Sequence, residues 1–297
     1  MSLPPLEELV NTFEVETAAK QKLDSATFSL IEGSDRKPFE RITFRPRMMV
    51  NTTKLDLTLD LFGTQMLAPI VAGPVAQQKR FHPEGEAATG KGATDAKAVF
   101  VVAEHSDFPS GKTDWWYQTG PAPEAARIEQ AAEQGCKALC ITLSDTGTDW
   151  ASLDALRKTT KLPVILKGIM RADEAKEAAA KGINGIVVSS YTATPVNATA
   201  IIPPMEVLPG IVDSAGRMPV LVDGGFRRGT DIMMALALGA KAVLVARPIA
   251  WGLAAYGTDG VRYVLEMLQT ELARTMAMCG KPNLNSIDRA TVKLHRW

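Results

Sequence analysis

The sequence has few of the residues from which metal and redox motifs are built, with three cysteines and three histidines among 297 residues. Cys136, Cys140 and Cys279 are odd in number, and no pair has the spacing of a metal knuckle or a redox motif. The sequence therefore predicts no metal site and reduced thiols, in the core or near the surface of a cytoplasmic protein.

A net charge and a long apolar run are also absent. Lysine plus arginine number 33, as do aspartate plus glutamate, so the formal net charge is zero and gives no electrostatic reason to expect nucleic acid or an acidic membrane surface. The best apolar stretch, residues 242–255, contains Arg247, which argues against a bilayer span. The N-terminus lacks a basic region followed by an apolar run, so no secretory signal is expected. These absences favour a small-molecule partner.

A regular alternation of apolar runs and helical patterns begins at Ala68. Because parallel strands buried on both faces are continuously apolar, the alternation predicts an α/β fold, a (β/α)8 TIM barrel. An open doubly wound sheet is the competing arrangement. The predicted strands cover residues 68–74, 99–104, 115–119, 138–144, 163–169, 185–190, 219–225 and 242–248. Helical patterns cover residues 83–97, 122–133, 172–181 and 228–238.

The segment before the barrel has a different pattern. Residues 5–32 are helical in pattern, and residues 39–51 alternate apolar and basic side chains like a short edge strand. We therefore expect residues 1–67 to form an N-terminal helical and edge-strand segment that caps the barrel. Residues 68–297 would form the barrel with a C-terminal helix, giving one structural domain overall.

The stretch PVLVDGGFRRGTD at residues 219–231 has the pattern of a phosphate-binding loop. Gly224 and Gly225 allow a close backbone approach, and Arg227 precedes a helix whose N-terminus attracts anions. The next predicted strand is followed by a loop that contains Arg247. Barrel enzymes bind phosphate in the loops after their last two strands. The alternative is two ordinary strand ends with solvated arginines.

Polar and small residues follow the other strands, where barrel enzymes place their active sites. A basic side chain, Lys167, ends the fifth strand and could neutralise an anionic ring or form a Schiff base, although a structural ion pair is the alternative. Together with the phosphate loop, the set suits a planar heterocycle with a phosphate tail and suggests FMN. Its members are Pro74, Val75, Ala76, Gln118, Thr142, Lys167, Ser189 and Asp223.

Long motifs add a family resemblance. The chain resembles the FMN-dependent 2-hydroxy acid oxidases and dehydrogenases, the family of glycolate oxidase and lactate oxidase, from about residue 19 to about residue 289. The motifs are VDGGFRRGTDIMMALALGAKAVLVARP (222–248), LPVILKGI (162–169), HPEGE (82–86), GVRYVLEMLQTELARTMAMCG (260–280) and RITFRPRMMVN (41–51).

The resemblance implies roles toward FMN for the residues already singled out. The backbone of Pro74, Val75 and Ala76 would lie along the flavin ring. Gln118 and Thr142 would bond its pyrimidine edge, Lys167 would lie near N1 and O2, and Ser189 would lie near the ribityl chain or the ring. Asp223 would hold ribityl hydroxyls, while the phosphate would be bound by Gly225, Arg227, Ala246 and Arg247. The family's serine on the second strand is Ala103 here, which removes one flavin hydrogen bond.

The substrate side departs further from the family pattern. Tyr191 stands where the family has its catalytic histidine, and Thr194 stands where it has a carboxylate-binding arginine. The family's two substrate tyrosines fall at Leu30 and Gly120, and its aspartate falls at Ser144, next to Asp145. The fourth loop is shortened to residues 146–150, which implies a more open mouth and a substrate that can be larger than lactate. A phenol of ordinary pKa, near 10, is a poor base at neutral pH, so ordinary hydroxy acid oxidation is not expected.

Tyr191 and His105 are the candidates for replacement chemistry. Tyr191 could donate a proton or stack on the substrate, and His105, beside Glu104 after the second strand, could act as acid or base. We therefore predict an FMN-binding oxidoreductase with an altered substrate site. The alternatives are a catalytically inactive flavin-binding homologue and a non-flavin phosphate-binding barrel, such as an inosine monophosphate dehydrogenase-like enzyme or a Lys167 aldolase. The resemblance also implies a homo-oligomer, typically a tetramer.

Overall fold

The computed structural model describes residues 3–33, 36–109, 111–143, 149–191 and 202–295. Within these residues eight parallel strands close into a barrel, which confirms the predicted (β/α)8 fold. The strands of the chain are β1 (Ile42–Phe44), β2 (Leu59–Leu61), β3 (Thr64–Met66), β4 (Ile70–Ala72), β5 (Phe100–Val102), β6 (Trp115–Thr119), β7 (Leu139–Thr142), β8 (Val164–Ile169), β9 (Gly185–Val188), β10 (Val220–Asp223), β11 (Ala242–Val245) and β12 (Val292–Leu294). The barrel runs from β4 to β11 in chain order, and β11 pairs with β4 to close it.

Helices surround the barrel and cover the outer faces of its strands. The helices of at least four residues are α1 (Thr12–Lys22), α2 (Ser25–Ser29), α3 (Lys37–Glu40), α4 (Gly85–Asp95), α5 (Ala125–Glu133), α6 (Trp150–Thr159), α7 (Ala172–Ala180), α8 (Pro204–Ala215), α9 (Gly229–Ala237) and α10 (Arg247–Met278). The long α10 is kinked at Gly257, where φ is 61°. No helix in the described part of the chain is both long and apolar enough to span a membrane.

The barrel interior is a packed core rather than a channel. Inward-facing side chains of every strand meet there, and the hairpin of β2 and β3 closes the end where the strands begin. Phe62, in the turn of that hairpin, packs edge-on against Trp116 with ring centroids 5.4 Å apart. A Cβ on Gly185 would lie 2.6 Å from the Phe62 ring, so the first residue of β9 must be small. The opposite end, where the strands finish, is not covered by this hairpin.

The N-terminal segment packs onto the barrel shell in one continuous core with it. Its predicted edge strand over residues 39–51 is wrong in extent, because the strand is only β1, which pairs antiparallel with β12 near the C-terminus. Phe39 belongs instead to α3, and Pro46 has no N–H with which to extend the ladder. The three cysteines are free and buried, and burial raises the pKa of Cys136 to about 11 and that of Cys140 to about 12.

Candidate active site

The carboxyl ends of the barrel strands open into a cavity of about 450 Å³, a size typical of small-molecule sites. Of the residues predicted from the sequence, Thr142 at the end of β7 and Ser189 after β9 are buried outside the lining, and His105 also lies outside it. The remaining predicted residues line the cavity together: Pro74, Val75, Ala76, Gln118, Lys167, Tyr191, Asp223, Gly225, Arg227, Ala246 and Arg247.

A larger cavity of about 660 Å³ lies at the other end of the barrel, beside the residues that precede β5, β6 and β7. Its lining contains none of the predicted site residues. We therefore place the site at the carboxyl ends, where the convergent polar groups are.

The buried Lys167 and Ser189 side chains and the partly exposed Asp223 side chain form the floor of the site. Lys167 is 2% exposed, and its Nζ donates to Ser189 Oγ at 2.8 Å and lies 3.0 Å from Asp223 Oδ2. Ser189 Oγ in turn donates to Asp223 Oδ2 at 2.9 Å. A bulge at Gly168, where φ is 113°, follows the lysine and shifts the pairing of β8 with β9. Bulges re-aim side chains next to binding sites, and this one sets the direction of Lys167.

Two buried acceptors beside this floor have no hydrogen-bond partner among the described residues. They are Gln118 Oε1, on β6, and Thr142 Oγ1, at the end of β7. Thr142 lies opposite Lys167 in the strand register. Buried polar atoms are nearly always paired, so these two fit a ligand edge that carries its own donors and acceptors. The pyrimidine edge of a flavin ring has that chemistry.

The turn after β4 provides a flat backbone surface. A Cβ on Gly73 would lie 3.3 Å from the backbone nitrogen of Ala246, so this turn and the loop after β11 pack closely only because residue 73 is glycine. Gln78 Nε2 donates to the carbonyl of Val75 at 3.1 Å, and Glu86 Oε1 accepts from the backbone N–H of Gln78. This buried network holds the predicted ring-binding backbone in place.

The predicted phosphate end joins two helix N-termini, those of α9 and α10. Gly224 and Gly225 adopt φ values of 95° and 80°, which favour glycine. Arg227 is 4% exposed, and burial together with the charge of Arg247 lowers its pKa to about 9. Burial also lowers the pKa of Arg247. Two guanidinium groups near two helix ends suit a phosphate, whose charge would offset the cost of burying Arg227, while Arg247 is exposed.

The sequence did not indicate Arg36, which holds the phosphate loop from the N-terminal segment. Its guanidinium makes two bonds to Asp231, at 2.6 and 2.9 Å, and donates to the carbonyl of Gly225 at 2.9 Å. Asp231 also accepts the backbone N–H groups of Arg227 and Arg228. Arg36 and Asp231 are 195 positions apart, so no local pattern could have joined them.

Of the residues predicted for the substrate side, Tyr191 lines the cavity and His105 lies outside its lining. Tyr191 is 70% exposed, and its ring centroid lies 5.0 Å from Lys167 Nζ. Glu104 accepts Thr119 Oγ1 at 2.8 Å and the backbone N–H of Gly120 at 3.0 Å, so its carboxylate is bound to the end of β6. His105 is exposed in a left-handed turn, where φ is 63°. Ser144, Asp145 and Thr194 lie outside the described residues.

Comparison with known proteins shows the family of this chain. The family model for FMN-dependent dehydrogenases matches residues 24–147 and 112–294. The L-lactate oxidase of a Nostoc species is 32% identical, with 96% of this chain and 98% of that protein covered. The 4-hydroxymandelate oxidase of Amycolatopsis orientalis is 31% identical, with 96% and 98% covered.

Solved structures agree in both fold and cofactor. A mandelate oxidase with (S)-2-phenylpropionate has a TM-score of 0.88 at 32% identity, covering 97% of this chain and all of that one. A mandelate oxidase variant containing a C4a-OH-FMN adduct has a TM-score of 0.86 at 32% identity, covering 96% of this chain and all of that one. The orphaned acceptors, the glycine turns and the paired arginines all fit the cofactor of these proteins. The chain is a member of the FMN-dependent dehydrogenase family, and its cofactor is FMN.

Proposed function

We propose that this protein is an FMN-dependent oxidoreductase in which the flavin-binding residues of the family are kept and the substrate-binding residues have changed. The reaction would therefore use a substrate other than the small 2-hydroxy acids, one that can be larger than lactate. The observation that carries the proposal is the contrast within one cavity between a complete polar floor and a mouth lined by Leu30 and Tyr191.

On the cofactor side, each group has a defined task. The backbone of Pro74, Val75 and Ala76 would support the ring, and Gln118 and Thr142 would bond its pyrimidine edge. Bound FMN supplies a two-electron acceptor. Lys167, held by Ser189 and Asp223, would place a positive charge beside the ring and favour its reduced, anionic form. At the other end, the phosphate would be bound by Gly225, Arg227, Ala246 and Arg247.

On the substrate side, the cavity lacks a histidine within the described structure, and Tyr191 would take its place as a proton donor or as a stacking surface. Leu30 and Gly120 stand where the family resemblance places two substrate-binding tyrosines, so those two hydroxyls are missing here. The alignment with the Nostoc L-lactate oxidase runs over 360 residues, whereas this chain has 297, so segments of that protein fall in gaps of this one. These differences support a wider entrance and a changed proton-transfer step. His105 would reach the substrate only from the rim, since it lies outside the cavity lining.

The test has two stages. The visible absorbance spectrum of the purified protein, recorded again after adding FMN and removing the excess, shows whether flavin is retained. The loaded protein is then mixed anaerobically with glycolate, L-lactate and mandelate, and then with bulkier 2-hydroxy acids. We expect the protein to retain FMN. The first three acids should bleach the flavin little, and a bulkier acid should bleach it fast. Rapid bleaching by glycolate, L-lactate or mandelate would contradict the altered substrate site, and retained flavin that no acid reduces would favour the catalytically inactive homologue.

A further inference from the structure

We propose that Arg80, in the segment that follows β4, binds the anionic group of the substrate at the mouth of the cavity. This inference rests on the proposed function and assigns its substrate class, an organic acid with an apolar body. The family resemblance implies no role for Arg80, and none of the sequence motifs quoted above contains this residue.

The backbone around Arg80 is firmly held. Arg80 is the last residue of the 3-10 helix Gln78–Arg80, which begins after Gln77 in a left-handed conformation with φ of 55°. Gln78 on one side is 2% exposed and bonded to Val75 and Glu86, and Phe81 on the other side is 7% exposed. The Arg80 side chain itself is exposed and lines the cavity. The backbone therefore fixes where the Arg80 side chain begins, and its guanidinium can reach a ligand in the cavity that it lines.

The charges of the cavity leave Arg80 without a counterion. The lining contains four cationic side chains, Arg80, Lys167, Arg227 and Arg247, and one carboxylate, that of Asp223. Asp223 is already paired with Lys167, and the FMN phosphate would occupy the two arginines at the helix ends. Within the described residues Arg80 makes no ion pair, while its neighbour Lys79 is paired with Asp107 at 2.9 Å. The loaded cavity therefore keeps one unmatched positive charge.

The groups near this charge indicate the rest of the ligand. Leu30, 57% exposed, and Tyr191 line the same cavity and offer an apolar surface to it. A guanidinium binds a carboxylate through two parallel hydrogen bonds. An acid whose carboxylate meets Arg80 and whose apolar part lies against Leu30 or Tyr191 satisfies both the charge and the exposed surface.

Phenylacetate tests this inference because it has a carboxylate and an aromatic ring but no hydroxyl to oxidise. It is titrated into the FMN-loaded protein, and the shift of the flavin absorbance bands gives Kd, with the neutral phenylacetamide in parallel. We expect phenylacetate to bind more tightly than phenylacetamide, and Arg80→Met to raise its Kd about tenfold or more. Arg80→Lys should lie between the two. Lys79→Met, one position away and outside the cavity lining, is the matched control and should leave Kd unchanged.

The outcomes separate this inference from the proposed function. Flavin content should be equal in wild type, Arg80→Met and Lys79→Met, which shows that the variants fold and keep the cofactor site. A protein that retains FMN but binds phenylacetate no better than phenylacetamide, or equally well after Arg80→Met, overturns the role of Arg80 and leaves the proposed function standing. A protein that rejects FMN overturns the proposed function and this inference with it.

Discussion

Lys167 Nζ and Asp223 Oδ2 lie 3.0 Å apart on two different strands, with the lysine side chain 2% exposed and the aspartate side chain 19% exposed. Removing one partner of a buried pair leaves an uncompensated charge, which costs about 3–5 kcal/mol of unfolding free energy. We therefore expect Asp223→Ala to destabilise the protein by about that amount in urea unfolding. Replacing both, as in Lys167→Met with Asp223→Asn, should recover much of the loss, and a double variant as unstable as Asp223→Ala would contradict the pairing argument.

Arg247 should contribute directly to cofactor affinity. Arg247→Ala removes a charge-assisted contact to the phosphate, and we expect FMN binding to weaken by about 1.5–3 kcal/mol, measured by quenching of flavin fluorescence. Arg171→Ala is the control, because Arg171 is an exposed arginine bonded to Asp173 and outside the cavity lining. Equal affinity in both variants would mean that the phosphate lies elsewhere.

Arg227 should make the folded state responsive to anions. Its pKa is lowered to about 9, below the value above 12 of an exposed guanidinium. A basic group whose pKa is lower in the folded than in the unfolded protein destabilises the fold while it is protonated. The unfolding free energy should therefore rise only as the pH rises above about 9. At neutral pH the penalty is fully present, and a bound phosphate offsets it.

Thermal unfolding at neutral pH therefore provides a readout for Arg227. Inorganic phosphate should raise the melting temperature of the wild type more than sodium chloride of equal ionic strength, with about 2.7 kcal/mol expected at a hundredfold excess over Kd. Arg227→Met should lose this increment. A variant that responds to phosphate as the wild type does would show that the anion binds without Arg227.

The orphaned hydroxyl of Thr142 predicts opposite effects on stability and on flavin binding. Thr142→Val keeps the shape and removes a buried oxygen that has no partner within the described protein, so we expect the FMN-free protein to be unchanged or stabilised by about 1 kcal/mol. FMN affinity should fall. The matched control is Thr119→Val, whose hydroxyl is bonded to Glu104 at 2.8 Å and whose loss should destabilise the protein. Destabilisation by Thr142→Val comparable to that by Thr119→Val would remove the argument for a ligand edge there.

Arg36 should support the phosphate loop without touching the reacting groups. Arg36→Ala leaves the buried carboxylate of Asp231 without its two bonds, and we expect a loss of about 1.5–3 kcal/mol in unfolding free energy together with weaker FMN binding. Arg289 makes a similar two-bond contact with Asp213 at an exposed site, so Arg289→Ala should cost at most about 1 kcal/mol. Similar losses of unfolding free energy in the two variants would contradict the argument that the Arg36–Asp231 contact matters because Asp231 is buried.

The barrel could be predicted because each of its strands is buried on both faces and therefore appears as an apolar run. The eight predicted runs contain the observed strands, with ends that differ by at most three residues. Three helices were not predicted: the short α3, which overlaps the predicted edge strand, and α6 and α8 beside the barrel. In α8 the prolines at 204 and 209 and the glycine at 210 obscure the helical pattern, and α6 lies behind a short loop whose capping residue, Asp149, was an unused signal.

The cofactor side could be predicted more fully than the rest of the site. Several residues predicted to bind FMN, among them Asp223, Arg227 and Arg247, fall within one local motif, residues 222–248. The contact of Arg36 joins residues 195 positions apart, and the proposed role of Arg80 depends on a cavity lined by several loops. Local patterns contain no information about such distances.

At the end of the barrel where the strands begin, the hairpin turn at Phe62 packs against Trp116. Together with the packed side chains of the barrel interior, it leaves ligands no route along the barrel axis. Cofactor and substrate must then pass through the same entrance at the carboxyl ends. Lys167, on the floor of the cavity, is 2% exposed, whereas Leu30, at its mouth, is 57% exposed. The cofactor on the floor would therefore have to bind before the substrate at the mouth and leave after it. Turnover would then proceed by exchange of the outer ligand alone, with the inner one retained through successive cycles.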